Sequence, residues 1–428
     1  MKQKENIIEF NNEVDSKKIN KKKLTIAIVI GIAFVIIIIL YLIYSMNVSF
    51  RNWWDINILR KRLKEENLNY IQIDNVNQEN IFAYSNYIAY IKDNEISVFD
   101  SGANKVSNIS VQISSPIIDT NGEYVVVAEK EGQKIYLISR SDILWEKELE
   151  GNISKVKVNN NGYVSVIVSG TSYKSVIVLL DYEGKELFKT YLGATIAVDS
   201  DISPDNKYMS FAEVNMEGTL IQSNIKIISV EKAKDNKEDS IIYKYAAPAD
   251  SLILNIKYQG KKLVCMYDNS IHVIESDEDR KIVDLQDKNI TFADIKLNNN
   301  IVRCFERNDS LFSIITDVEI LNSTTEKKNI YTIKGEVKGL YVYGDKIGIN
   351  QGLEVHFINP TGWLIKKYAC AEEVKRIVLS NNIAGVIYKK KIEIVRIWYL
   401  LRKDEVNSGN YSWFNYSIIL ISICISRV

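Results

Sequence analysis

The chain has 428 residues, with 54 Lys plus Arg against 54 Asp plus Glu, so it carries no formal net charge. That balance gives no electrostatic drive toward nucleic acid. Its four cysteines form no C-x-x-C pair, which excludes the zinc-ribbon and thioredoxin patterns, and its four prolines are too few for a Pro-rich stalk.

Residues 1–23 are polar and mixed in charge, as a short disordered tail is. Leu24 to Tyr44 then gives 21 residues without a charge. About 20 apolar residues at 1.5 Å rise span a roughly 30 Å hydrocarbon core, and only a helix pairs all its backbone groups there alone. The run is longer than a signal-peptide core and its exit, SMNVSFRNWW, lacks a small-residue cleavage pattern. A buried soluble helix is rarely apolar on every face. The expectation is one uncleaved transmembrane helix. Lys17, Lys18, Lys21, Lys22 and Lys23 precede it and only Arg51 follows within 15 residues, which favours a cytoplasmic N-terminus. A 20-residue window nearly removes that bias.

Residues 45–68 link this run to the rest. Trp53 and Trp54 suit a membrane interface, and Ile56, Leu59 and Leu63 recur at helical spacing beside Arg60, Lys61, Arg62 and Lys64. This reads as an amphipathic juxtamembrane segment or a continued helical stalk.

From residue 69 the pattern changes to short apolar runs split by turn residues, rich in Tyr, Ile, Val and Asn. An apolar strand ending in a polar residue, followed by a turn and another strand, recurs at Asp100, Ser139, Asp181, Ser229, Glu275, Asn322, Asn359 and Arg396. The gaps are 39, 42, 48, 46, 47, 37 and 37 residues. A four-stranded propeller blade takes about 40–45 residues. The longer gaps hold polar insertions such as 231–240, expected in loops. The last landmark strand, KIEIVRI, has no successor, while an orphan strand, NYIQID (69–74), precedes the first blade. The sequence therefore predicts that Tyr70 to Asp74 completes the last sheet and closes an eight-bladed ring over 69–397, removing its free edges. Seven blades or an all-β double sandwich are the alternatives. The remainder, 398–428, is atypically apolar: an out-of-frame ending, an interfacial tail or a short second span.

Few residues here suggest chemistry. His272 and His356 lie at equivalent places on blades five and seven, too far apart to share a metal. Asp199, Asp201 and Asp205, in DSDISPD, lack the EF-hand pattern and read as a turn between blades. Cys265 and Cys304 sit in matching strands of adjacent blades. Packed sheets lie about 10 Å apart, beyond the roughly 7 Å a disulfide spans, so both are expected to stay reduced. No residue is assigned a catalytic, cofactor-binding or metal role.

The segments DILWEKEL (142–149), EGKELFKTYL (183–192) and TGWLIKKYA (361–369) resemble the outer-strand motif of PQQ-like propeller repeats. SPDNKYMSFA (203–212) is similar to the SPDGK-type repeat, with Asn206 where Gly usually stands. With its apolar run, the chain resembles the membrane-anchored PQQ-like β-propeller proteins of unknown function found in clostridia. The resemblance implies an all-β PQQ-like propeller with one N-terminal transmembrane helix at the plasma membrane, the propeller extracytoplasmic. It brings no activity. A PQQ dehydrogenase needs a Trp platform, a calcium site and a catalytic Asp, and no run supplies them. Trp145 and Trp363 are expected to pack between blades. The function expected is a non-enzymatic binding or scaffold module, without cofactor, for a protein or cell-envelope partner. A ligand-sensing receptor ectodomain is the alternative, and a quinone-dependent dehydrogenase the third.

Overall fold

In the computed structural model of the protein, the described residues are 31, 34–44, 69–217, 221–235, 239–248, 251–287, 289–310 and 313–397. The chain divides into two units, Met1–Leu63 and Lys64–Val428. In the first, residues 31 and 34–44 are helical, with apolar side chains such as Phe34, Ile37 and Leu42 exposed. Among the described residues no helix is long and apolar enough to cross a membrane. The expectations for 1–23, for most of 24–33, for 45–68 and for 398–428 fall outside the described residues.

The second unit is eight antiparallel sheets of four strands each. Seven are simple meanders: blade 1 (81–110), blade 2 (116–148), blade 3 (152–192), blade 4 (196–246), blade 5 (253–284), blade 6 (290–334) and blade 7 (339–369). Blade 8 takes three strands from 376–396 and its fourth from Tyr70–Gln72, which pairs with Lys391–Arg396. The register sets Tyr70 opposite Glu393, Ile71 opposite Ile392 and Gln72 opposite Lys391. This removes the seven-bladed and sandwich alternatives. Ile71 and Ile73 sink into a cluster with Ile81, Ile88, Ile387 and Ile392, so the latch is held by burial as well as by its ladder.

The recurring polar landmark has a local cause. Asn322 ends the third strand of its blade, Asp100, Asp181 and Asn359 directly follow theirs, and each side chain accepts backbone N–H groups of the turn that follows. Asp181 Oδ1 takes Glu183 N at 3.0 Å and Lys185 N at 2.9 Å. Asn359 Oδ1 takes Thr361 N at 3.1 Å and Trp363 N at 2.9 Å. A short acceptor there fixes the hairpin into the fourth strand. Asn206 adopts φ 59°, the left-handed conformation that Gly supplies in related turns.

Apolar side chains alternate to both faces of each sheet and pack against the neighbouring blades, as Leu137 and Val126 do against Val166 and Val178. Trp145 follows the expectation. It packs over Gly184 of the next blade and donates Nε1–H to Tyr182 O at 3.1 Å. Trp363 does not follow it, being 57% exposed. The polar insertion in blade 4 is partly helical and not only loop. Val230–Lys234 forms a short helix whose N-cap, Ser229, accepts from Lys232 N.

Candidate functional site: the axial channel

The first strand of each blade faces the propeller axis, and blades 2 to 6 place charge there. Asp119 comes from blade 2, Lys155 and Lys157 from blade 3, Asp199 and Asp201 from blade 4, Lys257 from blade 5 and Asp294 from blade 6.

The carboxylates do two things at once. Asp201 accepts from the Tyr258 amide at 2.6 Å through Oδ2 and pairs with Lys257 Nζ at 3.1 Å through Oδ1. Asp119 repeats the device two blades earlier: Oδ2 accepts from the Val158 amide at 2.9 Å, and Oδ1 lies 3.7 Å from Lys157 Nζ. In both cases one carboxylate holds a lysine and the amide of the residue after it, on the next blade. Asp199 supplements this, accepting from the Ile256 amide at 2.9 Å and pairing with Lys155 at 2.9 Å. Buried peptide groups and charges need such partners.

This corrects the sequence reading of DSDISPD. Only Asp205 lies in a turn, where Oδ1 accepts from Ser203 Oγ at 2.7 Å. Asp199 and Asp201 belong to the strand Ile196–Ile202 and are 0% and 1% exposed. Burial pushes the Asp201 carboxyl above its ordinary value, with Lys257 and the Tyr258 amide pulling it back. Burial likewise raises Asp294. Lys157 is held well above the usual lysine value by Asp119, against burial, with Asp199, Asp201 and Asp294 adding to it.

The turn end of the channel is tied across. Gly122 N donates to Tyr343 Oη at 2.9 Å, from blade 2 to blade 7, which are not neighbours. Around the ring the first-to-second-strand turns join hands: Ser85 N to Gly122 O at 3.0 Å, Asn298 N to Gly344 O at 2.8 Å, and Asn161 Nδ2 to Pro204 O at 2.7 Å. Gln259, from blade 5, donates to Ile295 O, Leu297 O and Asn300 O of blade 6 at 2.8–3.0 Å.

The two histidines occupy equivalent third strands, Ser270–Glu275 and Glu354–Ile358, and each has its own partner. His272 Nδ1 lies 2.9 Å from Asp279 Oδ1. His356 Nδ1 lies 2.7 Å from Tyr331 Oη and its Nε2 2.5 Å from Glu354 Oε1. Burial lowers the His356 pKa, with Glu354 working against that. Cys265, Cys304 and Cys370 are buried free thiols, and burial raises Cys304 to about 12. Such thiols pack as small hydrophobes. Among the described residues no group of three or more His, Cys, Asp or Glu is placed to hold a metal ion.

Sequence reasoning missed the axial lysines. The available signal was lysine inside two first strands, at alternate positions 155 and 157 in SKVKVN and singly at 257 in LNIKYQ.

A family model described as "Family of unknown function (DUF5711)" matches residues 59–397. Of solved structures, the C-terminal WD40 domain of Sif2 is similar at 13% identity and TM-score 0.53, covering 79% of this chain and 99% of that one. This likeness shows the fold. BamB from Moraxella catarrhalis matches at 11% identity and TM-score 0.46, over 76% of this chain and 99% of its own. Sqt1 from Chaetomium thermophilum matches at 10% identity and TM-score 0.47, over 77% and 98%. No curated protein matches the chain.

Proposed function

This chain belongs to the DUF5711 family of unknown function, and from that premise we propose that it is a membrane-tethered, extracytoplasmic binding scaffold for a protein or cell-envelope partner. The observation that carries the reading is how the axial charges are used. Asp119, Asp199 and Asp201, carboxylates of the first strands, are each bonded to a backbone amide of a neighbouring blade and to a lysine. Groups committed in this way stiffen the ring, and a stiff ring presents its turns at low entropic cost to a partner. The tether rests on the apolar run Leu24 to Tyr44, and the orientation on the five lysines that precede it.

Two measurements on the full-length protein in its native membrane test this. Protease added outside intact cells is expected to degrade the propeller while the N-terminal tail survives. Cross-linking followed by detergent solubilisation is expected to recover one partner in fixed ratio. A propeller protected until the membrane is opened, or recovery of the chain alone at every cross-linker length, contradicts the proposal.

A further inference from the structure

Between blades 4 and 5, on the face of the first-to-second-strand turns, lies a cleft of about 280 Å³. Its floor is apolar, made by Ile227, Leu263 and Ile274. Three tyrosines line its wall: Tyr208 and Tyr243, 39% and 38% exposed, and the buried Tyr258. Lys207 and Lys261 lie at its rim, exposed and without an ion-pair partner among the described residues. Asp205 adds a carboxylate whose Oδ1 is taken by Ser203 Oγ and the Lys207 amide, at 2.7 and 3.2 Å, with no side-chain donor on Oδ2 among the described residues.

The walls are fixed before any ligand arrives. The Asp201 carboxylate holds the Tyr258 amide, Tyr258 Oη lies 2.6 Å from Ser210 Oγ, and Tyr245 Oη donates to Ser276 O at 2.8 Å. Each bond bridges the two blades at the cleft. A preformed pocket with an apolar floor and a few convergent polar groups is the usual form of a small-molecule site. Its volume falls just below the roughly 300–1,000 Å³ that drug-sized sites occupy, which suits a single ring.

We infer that this cleft binds one sugar ring carrying a negative charge. The tyrosine faces and the apolar floor take the C–H face of the ring. Asp205 Oδ2 accepts a hydroxyl, as carboxylates paired with neutral donors do. Lys207 and Lys261 meet the anion, the two ammonium groups outnumbering the one carboxylate. Lys207 already acts on the Asp205 carboxylate beside it, so a neutral sugar leaves Lys261 unanswered, and an anion without a ring leaves the tyrosines and floor wet. The inference rests on the cleft alone and is independent of the tether and of any protein partner.

Ligand-observed NMR on the full-length protein tests it with four probes: D-glucuronate, glucose 6-phosphate, glucose and acetate. At least one of the two charged sugars is expected to show saturation transfer, binding at least tenfold more tightly than glucose or acetate. Which of them does so identifies the anion as carboxylate or phosphate. Lys261→Glu and Tyr243→Ala are each expected to weaken that binding at least tenfold, and added salt to weaken it further. Both positions are exposed, so the thermal midpoint should hold. Lys130→Glu, on another blade, should change nothing. Absence of transfer from both charged sugars, equal binding of glucose, or binding unchanged in Lys261→Glu overturns the assignment.

Discussion

Replacing Ile71 with Ala is expected to lower the unfolding free energy of the full-length protein by about 2–5 kcal/mol, and Ile73→Ala to do the same. Ile71 and Ile73 are 3% and 2% exposed and share one cluster with residues from both ends of the ring. Their neighbour Tyr70 is 52% exposed and serves as the control, with Tyr70→Ala expected within about 0.5 kcal/mol of wild type. The paired strand has only three residues, so its ladder is short and side-chain burial carries the latch. The two costs share a cluster and so do not add fully. Even so, the double variant removes a large part of the roughly 5–15 kcal/mol by which a domain is stable. Urea unfolding should show the lowered midpoint. Proteolysis should show cleavage near Asp74 before cleavage elsewhere, because a freed strand exposes both itself and the edge of Lys391–Arg396.

Asp201→Ala is the second large effect. It removes the acceptor of the Tyr258 amide, and a buried amide left without a partner costs about 1–3 kcal/mol. Lys257 loses its partner too, but it is 24% exposed and turns to water, which limits the additional cost. Asp201→Asn keeps an acceptor oxygen and should recover most of the loss. The two variants separate through pH. Burial raises the Asp201 carboxyl above its ordinary 3.8, so the folded state holds that proton more firmly than the unfolded chain. Between the unfolded and the folded values the native state binds more protons, and stability therefore falls as pH rises. Wild type minus Asp201→Asn should decline across that window and level off above it. A difference that grows with pH means the carboxylate is not held as its burial implies.

The ring was legible because its signal is local and repeated. Four of the eight landmark residues, Asp100, Asp181, Asn322 and Asn359, are acceptors for the turn that follows, a role any such hairpin can reuse whatever the surrounding residues are. The orphan strand at Tyr70 was legible because a sheet lacking its fourth strand demands one. The axial site was not. Asp199 and Asp201 stand among Ser, Asp and Pro and look like a loop, yet what buries them is a strand 56–57 residues further along. No window of a few residues contains that partner. Trp363 shows the converse. Its motif matches that of Trp145, but Trp145 rests on the Asp181–Gly184 hairpin of the next blade. Blade 8 has no such hairpin, because its fourth strand arrives from the other end of the chain. A motif repeats, but its environment at the seam of the ring does not. The cleft between blades 4 and 5 was hidden for the same reason, since Tyr208 and Tyr243 of blade 4 meet Lys261 of blade 5 only through blade packing.

The closed ring is tested most directly by a disulfide across its seam. Gln72 and Lys391 face each other in the register between the opening and closing strands, and Ile73 N donates to Lys390 O at 2.8 Å beside them. That makes them a non-hydrogen-bonded antiparallel pair, whose Cα atoms stand about 4.5 Å apart, within reach of a disulfide. In the full-length variant Gln72→Cys with Lys391→Cys, mild oxidation should give a cross-link within one chain. It should run as a faster band without reductant and melt at a higher temperature than the reduced form. A variant that cross-links only between chains, or not at all under conditions that oxidise exposed thiols, contradicts the closed ring.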